Sequence, residues 1–284
     1  MKYYILYNPY SGHSGSQAKA EELKGQYDSA EIFDITTITS YEEFLAPLTE
    51  DDAVILCGGD GTLNRFINDT YNIDYKCDIL LAAAGTGNDF LADLGKTKDE
   101  APFSIKKYLC DLPTVTINGK TSYFLNGIGY GIDGYCCEMG DKLKAEKPGE
   151  PVNYAGIAIK GVLGKFKPYN AKVTVDGVEY SFKKVWLAPT MHGRFYGGGM
   201  NCAPQQDRLA EDKMNTLVVW HGSGVLSTLI AFPSIFKGEH VKKTKMIKLF
   251  KGHEISVEFD RPCALQIDGE TVLGVTKYST KSAK

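Results

Sequence analysis

Two short apolar runs, residues 53–57 (AVILC) and 78–83 (DILLAA), each break into a glycine loop that opens a helical pattern. Runs this short and this apolar suit strands buried on both faces. A glycine loop leading straight into a helix is the connection of a parallel β-α unit. Upstream, residues 2–7 read as a first strand, and Ser16 to about Tyr27 as a helix with Ser16 as N-cap. Residues 31–35 read as a strand, and Ser40 with Glu43 as the S-x-x-E capping box of a second helix. Residues 62–69 continue the alternation. The succession predicts an α/β domain with a parallel sheet and helices on both faces.

Near Pro113 the pattern changes. Asn118-Gly119 lies between residues 114–117 and 121–126, and Asp176-Gly177 between 171–175 and 178–188. Such dipeptides between extended runs signal hairpins. Further strands are expected at 216–220, 246–250, 254–259 and 264–267, with helices at about 135–146, 153–166 and 224–236. The second half therefore reads as mostly antiparallel β with helical insertions. No low-complexity linker separates the halves, which predicts two domains packed around a cleft.

With 284 residues, 43% hydrophobic and 24% charged, the chain can bury a full core, which excludes disorder and a disulfide-held miniprotein. No run reaches the roughly 18 apolar residues of a membrane span, and MKYYILYNP reads as a strand, not a signal peptide. The cysteines at 57, 77, 110, 136, 137, 202 and 263 are odd in number and form no C-x-x-C pair. They point to reduced thiols and a cytoplasmic location. The histidines at 13, 192, 221, 240 and 253 show no H-x-x-x-H spacing. Residues 1–113 hold 9 Lys and Arg against 19 Asp and Glu, whereas residues 114–284 hold 23 against 16. That polarity turns the second half toward an anionic partner such as a membrane leaflet, a peripheral contact. The basic residues are dispersed and not interleaved with aromatics, so no nucleic-acid partner is expected. The oligomeric state stays open, a homodimer included.

Four segments carry chemistry. Asn8-Pro9-Tyr10-Ser11-Gly12 ends the first strand and exposes backbone N–H groups before a helix, a natural phosphate site. Gly58-Gly59-Asp60-Gly61-Thr62 lets the backbone approach a pyrophosphate with no Cβ in the way. Asp60 is a candidate ligand of Mg²⁺, directly or through water, and Thr62 is a helix cap or phosphate contact. Gly85-Thr86-Gly87-Asn88-Asp89 repeats the arrangement. Loops ending successive strands converge on the rim where open α/β sheets bind ligands. Asp89 also suits the helix dipole. Gln266-Ile267-Asp268-Gly269-Glu270 places two carboxylates around a glycine. A carboxylate can take the proton of an attacking hydroxyl, and Asp268-Gly269 is also a hairpin turn. No Walker A sequence occurs, and the Gly58–Thr62 loop is not G-x-G-x-x-G, which weighs against NAD.

Together, in order, YNPYSG (7–12), GGDGTLN (58–64), GTGNDF (85–90) and QIDGE (266–270) resemble the diacylglycerol kinase catalytic-domain family in its bacterial soluble lipid-kinase branch. The resemblance spans residues 3–270. It implies an α/β N-terminal domain like those of NAD kinases and phosphofructokinases, over 1–113, that binds nucleotide. It further implies a β-sandwich C-terminal domain, over 114–275, that carries the D-G-E turn across the cleft. The tail 276–284 is expected to pack back on the first domain. The family's nucleotide contacts map onto Asn8, Ser11, Gly58, Gly59, Asp60, Gly61, Thr62, Asn64 and Thr86, and Gly12, Gly85, Asn88 and Asp89 of the same loops complete the candidate nucleotide-binding set. A Thr after the second strand is Thr37 or its neighbour Thr36. The general base maps onto Asp268, with Glu270 as the close second. The family's structural Mg²⁺ stretch maps onto Asp212, where Lys213 and Asn215 replace the usual Gly and Asp. Ala83, Arg65 and Ala92 stand where Pro, Glu and Arg are common. The implied activity is ATP- and Mg²⁺-dependent phosphorylation of a lipid hydroxyl, diacylglycerol or a related amphiphile. An NAD-kinase-like enzyme and a non-catalytic nucleotide-binding regulator are the alternatives.

Overall fold

A computed structural model describes residues 2–10, 15–85, 88–147, 150 and 152–283. The chain divides into two compact units, Met1–Cys110 and Asp111–Lys284.

The first unit is built on strands β1 (Tyr3–Tyr7), β2 (Ala30–Asp34), β3 (Ala53–Gly58), β4 (Asp78–Ala83) and β5 (Phe103–Ser104), in the order β2-β1-β3-β4-β5. The first four are mutually parallel and β5 is antiparallel. Helices α1 (Gly15–Lys24), α2 (Tyr41–Leu45), α3 (Asp60–Thr70) and α4 (Asp89–Leu94) alternate with them. Side chains alternate across a strand. Ile5, Ile55 and Cys57 therefore meet Ala20 and Leu23 of α1 on one face. On the other, Tyr4 and Phe33 pack their rings on Phe44 of α2. The central strand β3, buried along its whole length, is the continuous apolar run. Ser40 caps α2 and accepts from Glu43 N at 3.2 Å, as its spacing predicts. Ser16 is no cap. It lies inside α1, fully buried, where its Oγ accepts from Asn8 N (3.0 Å) and donates to Cys57 O. Buried strand ends leave main-chain groups in need of partners, and this hydroxyl serves one just past β1 and one on β3.

The second unit is antiparallel. It opens with the hairpin β6 (Thr114–Ile117) and β7 (Lys120–Tyr123), then β8 (Gly127–Tyr130), α5 (Ile132–Glu146) and α6 (Tyr154–Lys160). A π-helical turn, Gly161–Lys165, prolongs α6. The hairpin β9 (Tyr169–Val175) and β10 (Val178–Val185) follows, then β11 (Thr190–Met191) and the ribbon β12 (Phe195–Tyr196) and β13 (Met200–Asn201). The unit closes with β14 (Asn215–Trp220), α7 (Val225–Ala231), β15 (Ile247–Gly252), β16 (Glu254–Ile267) and β17 (Glu270–Lys281). The sheet runs β15-β14-β11-β8-β16-β17-β6-β7, with β9 also on β16 and β10 on β9.

Residues 254–259 and 264–267, expected as two strands, are one. Proline has no N–H to give a ladder, so Pro262 interrupts the β16–β17 register between Glu258 and Cys263 without ending the strand. The early part of β16 pairs with β9 and the late part with β8. One long strand thus joins both layers of a β-sandwich around a core that includes Tyr130, Trp186, Trp220, Phe259 and Tyr278. The segment expected as a tail begins within β17 (Glu270–Lys281). Through Lys281 it completes β17, paired with both β16 and β6. The helix expected at 224–236 stops at Ala231 and tightens into a 3₁₀ turn, Phe232–Ile235, that begins around Pro233.

Candidate active site

In a parallel sheet all carboxyl ends share one edge, so the loops after β1, β2, β3 and β4 gather there. Asn8 follows β1, and its Nδ2 donates to Thr62 Oγ1 (3.2 Å) at the start of α3. Its Oδ1 accepts from Tyr10 N (3.0 Å), which shapes the turn. The two glycine loops touch. A Cβ on Gly85 would lie 2.5 Å from Gly59 Cα, and one on Gly59 would lie 2.8 Å from Gly85 Cα. Asn88, in the left-handed region at φ 50°, closes the second loop by donating from Nδ2 to Gly85 O (2.9 Å). Asp60 joins the loops electrostatically. Its Oδ2 accepts from Asp89 N (2.8 Å) and its Oδ1 from Phe90 N (3.0 Å), the first N–H groups of α4. A carboxylate is favoured at that positive end.

Asn8, Gly58, Gly59, Asp60, Gly61, Thr62, Gly85, Asn88 and Asp89 are therefore assembled at one edge. Asn64 follows one turn into α3, where its carbonyl and Oδ1 accept from Asn68. Thr37 ends a 3₁₀ turn after β2, and β2 is the neighbour of β1. Thr36 and Thr37 are both exposed and both tied to Asp34, so geometry does not separate them. Ser11, Gly12 and Thr86 lie outside the described residues.

In the second unit Asp268-Gly269 is a two-residue hairpin turn with φ of 47° and 96°. The turn is more than a reversal. Asp268 is nine-tenths buried, and its Oδ2 accepts from Leu125 N (2.6 Å). Its Oδ1 accepts from Asn126 N (2.8 Å) and Gly127 N (2.9 Å). Its own N–H returns to Gly127 O (3.1 Å). From behind, Arg208 donates to Leu125 O (3.1 Å) and Asn126 Oδ1 (3.0 Å). Glu270, two residues on, is exposed. Asp268 is thus oriented by main chain, while Glu270 is the more accessible carboxylate.

One buried carboxyl carried no sequence signal strong enough to mark it. Asp133, in the first turn of α5, is 8% exposed. Its Oδ2 has no hydrogen-bond partner, and burial pushes its carboxyl up to about 7. The Tyr196 hydroxyl faces it without a bond of ordinary geometry and offsets part of that rise. Asp133 is placed by close packing, since a Cβ on the adjacent Gly134 would fall 1.8 Å from Ala264 O. Gln266 lies beside it across Gly129, and Gln266 Oε1 accepts from Gly269 N (2.6 Å) in the D-G-E turn. The surrounding Gly129-Tyr130-Gly131-Ile132-Asp133-Gly134 has the spacing of a dinucleotide loop, yet β8 belongs to an antiparallel sheet.

At the glycine-loop edge both oxygens of Asp60 already accept from α4 N–H groups, which suits contact through water with Mg²⁺ that arrives on phosphate oxygens and keeps its waters. Asp212 differs. It is exposed, its Oδ1 caps Met214 N (3.1 Å), and the neighbouring Lys213 pairs with Asp111 (3.1 Å). Among the described residues no three Asp, Glu, His or Cys side chains gather around a point, at Asp212 or at the glycine-loop edge.

Comparison with known proteins places this architecture. Residues 2–111 match the diacylglycerol kinase catalytic domain, and residues 126–280 match the YegS C-terminal NAD kinase beta sandwich-like domain. The chain belongs to the diacylglycerol kinase family, in the form that pairs these two domains. A diacylglycerol kinase of Mycobacterium tuberculosis is 27% identical over 253 residues, 84% of this chain and 79% of that protein. One of Bacillus subtilis is 24% identical over 279 residues, 94% and 88%. A solved diacylglycerol kinase structure from Bacillus anthracis superimposes with a TM-score of 0.61 at 17% identity, over all of this chain and 94% of that one, and shares its fold. The chain is a phosphotransferase with an alcohol group as acceptor.

Proposed function

We propose that the protein transfers the γ-phosphoryl group of ATP to a hydroxyl of diacylglycerol or a closely related lipid, with Mg²⁺. The observation that carries this reading is the joining of the glycine loops at one sheet edge, Gly59 against Gly85 and Asp60 across to α4. Closely apposed glycine backbone with a helix start beside it suits a polyphosphate. The family match supplies the acceptor class.

In this reading Asn8, Gly58, Gly59, Gly61, Thr62, Gly85 and Asn88 hold the phosphates. Ser11, Gly12 and Thr86 are assigned the same task, and Thr37 and Asn64 flank the nucleotide. Asp60, through water, and Asp89 would hold Mg²⁺, which supplies charge screening for the transferring group when bound. Asp268 takes the proton of the acceptor hydroxyl as its oxygen forms the new bond to phosphorus, and ADP departs with the electrons of the broken bridge bond. The three N–H groups on Asp268 fix its carboxylate in one orientation, and positioning is what such transfers chiefly require. Glu270 is the second candidate for the proton.

The test is purified protein with labelled ATP, Mg²⁺ and a panel of lipids. Labelled phospholipid formed by wild type and abolished in Asp268→Asn is the expected result. Formation of NADP from NAD and ATP would assign a soluble acceptor instead. ATP binding with no transfer to any acceptor would make the protein a regulator.

A further inference from the structure

We propose that Arg208 and Gln266 are positioning residues that set the Asp268 carboxylate for proton transfer, Arg208 acting through the peptide group between Leu125 and Asn126. The inference rests on the reading that Asp268 takes the acceptor's proton, and it says what holds that carboxylate ready.

Residues 124–126 lie between β7 and β8 and belong to neither strand. Yet the consecutive N–H groups of Leu125, Asn126 and Gly127 converge on one carboxylate. A buried segment outside a ladder keeps such a shape when its other polar groups are held too. Leu125 and Asn126 are both buried, and Asn126 O accepts from His192 N and Gly193 N, each at 2.9 Å. Arg208 grips the same segment twice. Its Nη1 donates to Leu125 O at 3.1 Å and its Nη2 to Asn126 Oδ1 at 3.0 Å. The amide whose oxygen faces Arg208 is the amide whose N–H faces Asp268. A cation at one end and an anion at the other polarise that amide in the same sense. The guanidinium charge thus reaches the carboxylate through a single peptide, whose plane it also fixes. A planar fork supplies two such bonds at once, and a lysine ammonium does not.

Gln266 acts on the other side of Asp268. It is buried, and its Oε1 accepts from Gly269 N at 2.6 Å, while Asp268 N donates to Gly127 O at 3.1 Å. Both peptide groups that flank Asp268 are therefore pinned. With them is pinned its φ of 47°, a left-handed value that residues with a Cβ seldom adopt. Gly129, opposite Gln266 in the β8–β16 register, makes the room: a Cβ there would fall 2.6 Å from Gln266 Nε2.

A role in folding alone predicts lost stability with an intact rate, so the test reads rate. Full-length variants are assayed at a temperature at which circular dichroism shows each one folded. MgATP is saturating, and the acceptor is the one that wild type phosphorylates, lipid or NAD. Arg208→Met keeps the stem and should lower kcat about tenfold to a hundredfold, with KM values within about twofold of wild type. Arg208→Lys should recover part of that loss. Gln266→Leu should lower kcat by less, about threefold to thirtyfold. In an Asp268→Asn background, read by single-turnover transfer of labelled phosphate, neither change should slow the residual rate further, because both act through that carboxylate. Hydrogen exchange at the 125–127 amides needs no turnover and should quicken in Arg208→Met. Quickened exchange with no acceptor phosphorylated by wild type would sustain the hold on Asp268 and remove the kinase reading. A wild-type rate in Asp268→Asn would remove the base assignment and this inference with it. The expected loss in Asp268→Asn, with none in Arg208→Met or Gln266→Leu, would overturn the inference alone. So would losses that add in full to that of Asp268→Asn.

Discussion

The two units each place an aspartate next to glycine, and they use the pair in opposite ways. At the edge of the parallel sheet the glycines matter for what they lack: Gly59 and Gly85 meet backbone to backbone, and Asp60 reaches across to two N–H groups of another helix. In the sandwich the aspartate matters for what it accepts. Asp268 collects three N–H groups from residues 125–127, more than 140 positions away in the chain. The first site fails when a side chain is added, the second when one is removed.

Removing Asp268 should therefore have the largest effect. Asp268→Ala leaves three buried donors without a partner, each costing about 1–3 kcal/mol, and should destabilise the second unit by about 3–5 kcal/mol. Urea unfolding followed by Trp fluorescence reads this directly, because both tryptophans, Trp186 and Trp220, belong to that unit's core. Asp268→Asn keeps one acceptor oxygen for Asn126 N and Gly127 N and turns its amide NH2 toward Leu125 N, a smaller loss than Asp268→Ala. It should stay folded while losing about a hundredfold or more in transfer rate. A wild-type rate would move the base to Glu270.

Asp133 gives the next effect, and it depends on pH. Its folded-state carboxyl titrates at about 7, whereas an unfolded one titrates near 4. Between those values the folded chain keeps a proton that the unfolded chain has lost. Stability should fall as pH rises through this window and level off above it. Asp133→Asn removes the decline and should be more stable than wild type by about 2–4 kcal/mol at pH 8, with a gain that shrinks toward pH 4.5. An equal gain at both pH values would refute the assignment.

Adding a side chain tests the other region. Gly85→Ala drives a Cβ into Gly59, an overpacking that costs about 1–3 kcal/mol, and titration with MgATP should show affinity reduced roughly 5- to 150-fold. Unchanged affinity would mean that the loop contact is not part of the nucleotide site. The smallest change in stability is expected from Glu270→Gln, whose side chain is exposed: within about 0.5 kcal/mol of wild type. Its transfer rate, set beside that of Asp268→Asn, assigns the proton to one carboxylate or the other.

Most of the first unit was legible in the residues because its signals are local. AVILC marks a doubly buried strand, Ser40 and Glu43 mark a cap, and glycine loops after buried runs mark the binding edge. Ser16 was misread as a cap because spacing cannot report that a hydroxyl will be buried between two strand ends. In the second unit the hairpins were legible from Asn118-Gly119 and Asp176-Gly177, whose positive φ values the structure bears out. Residues 254–259 and 264–267 read as two strands where the chain only bulges around Pro262, since an interrupted ladder and a strand end look alike in sequence.

By itself the sequence determined the alternation of the parallel sheet, the position of its glycine loops and the turn at Asp268-Gly269, because each depends on residues close together in the chain. Only the tertiary structure decided that Gly59 touches Gly85, that Asp268 is anchored on residues 125–127, and that Asp133 sits buried with an oxygen unpartnered. Those outcomes depend on which distant backbone groups arrive at a point and how much water they exclude, and no local pattern encodes either.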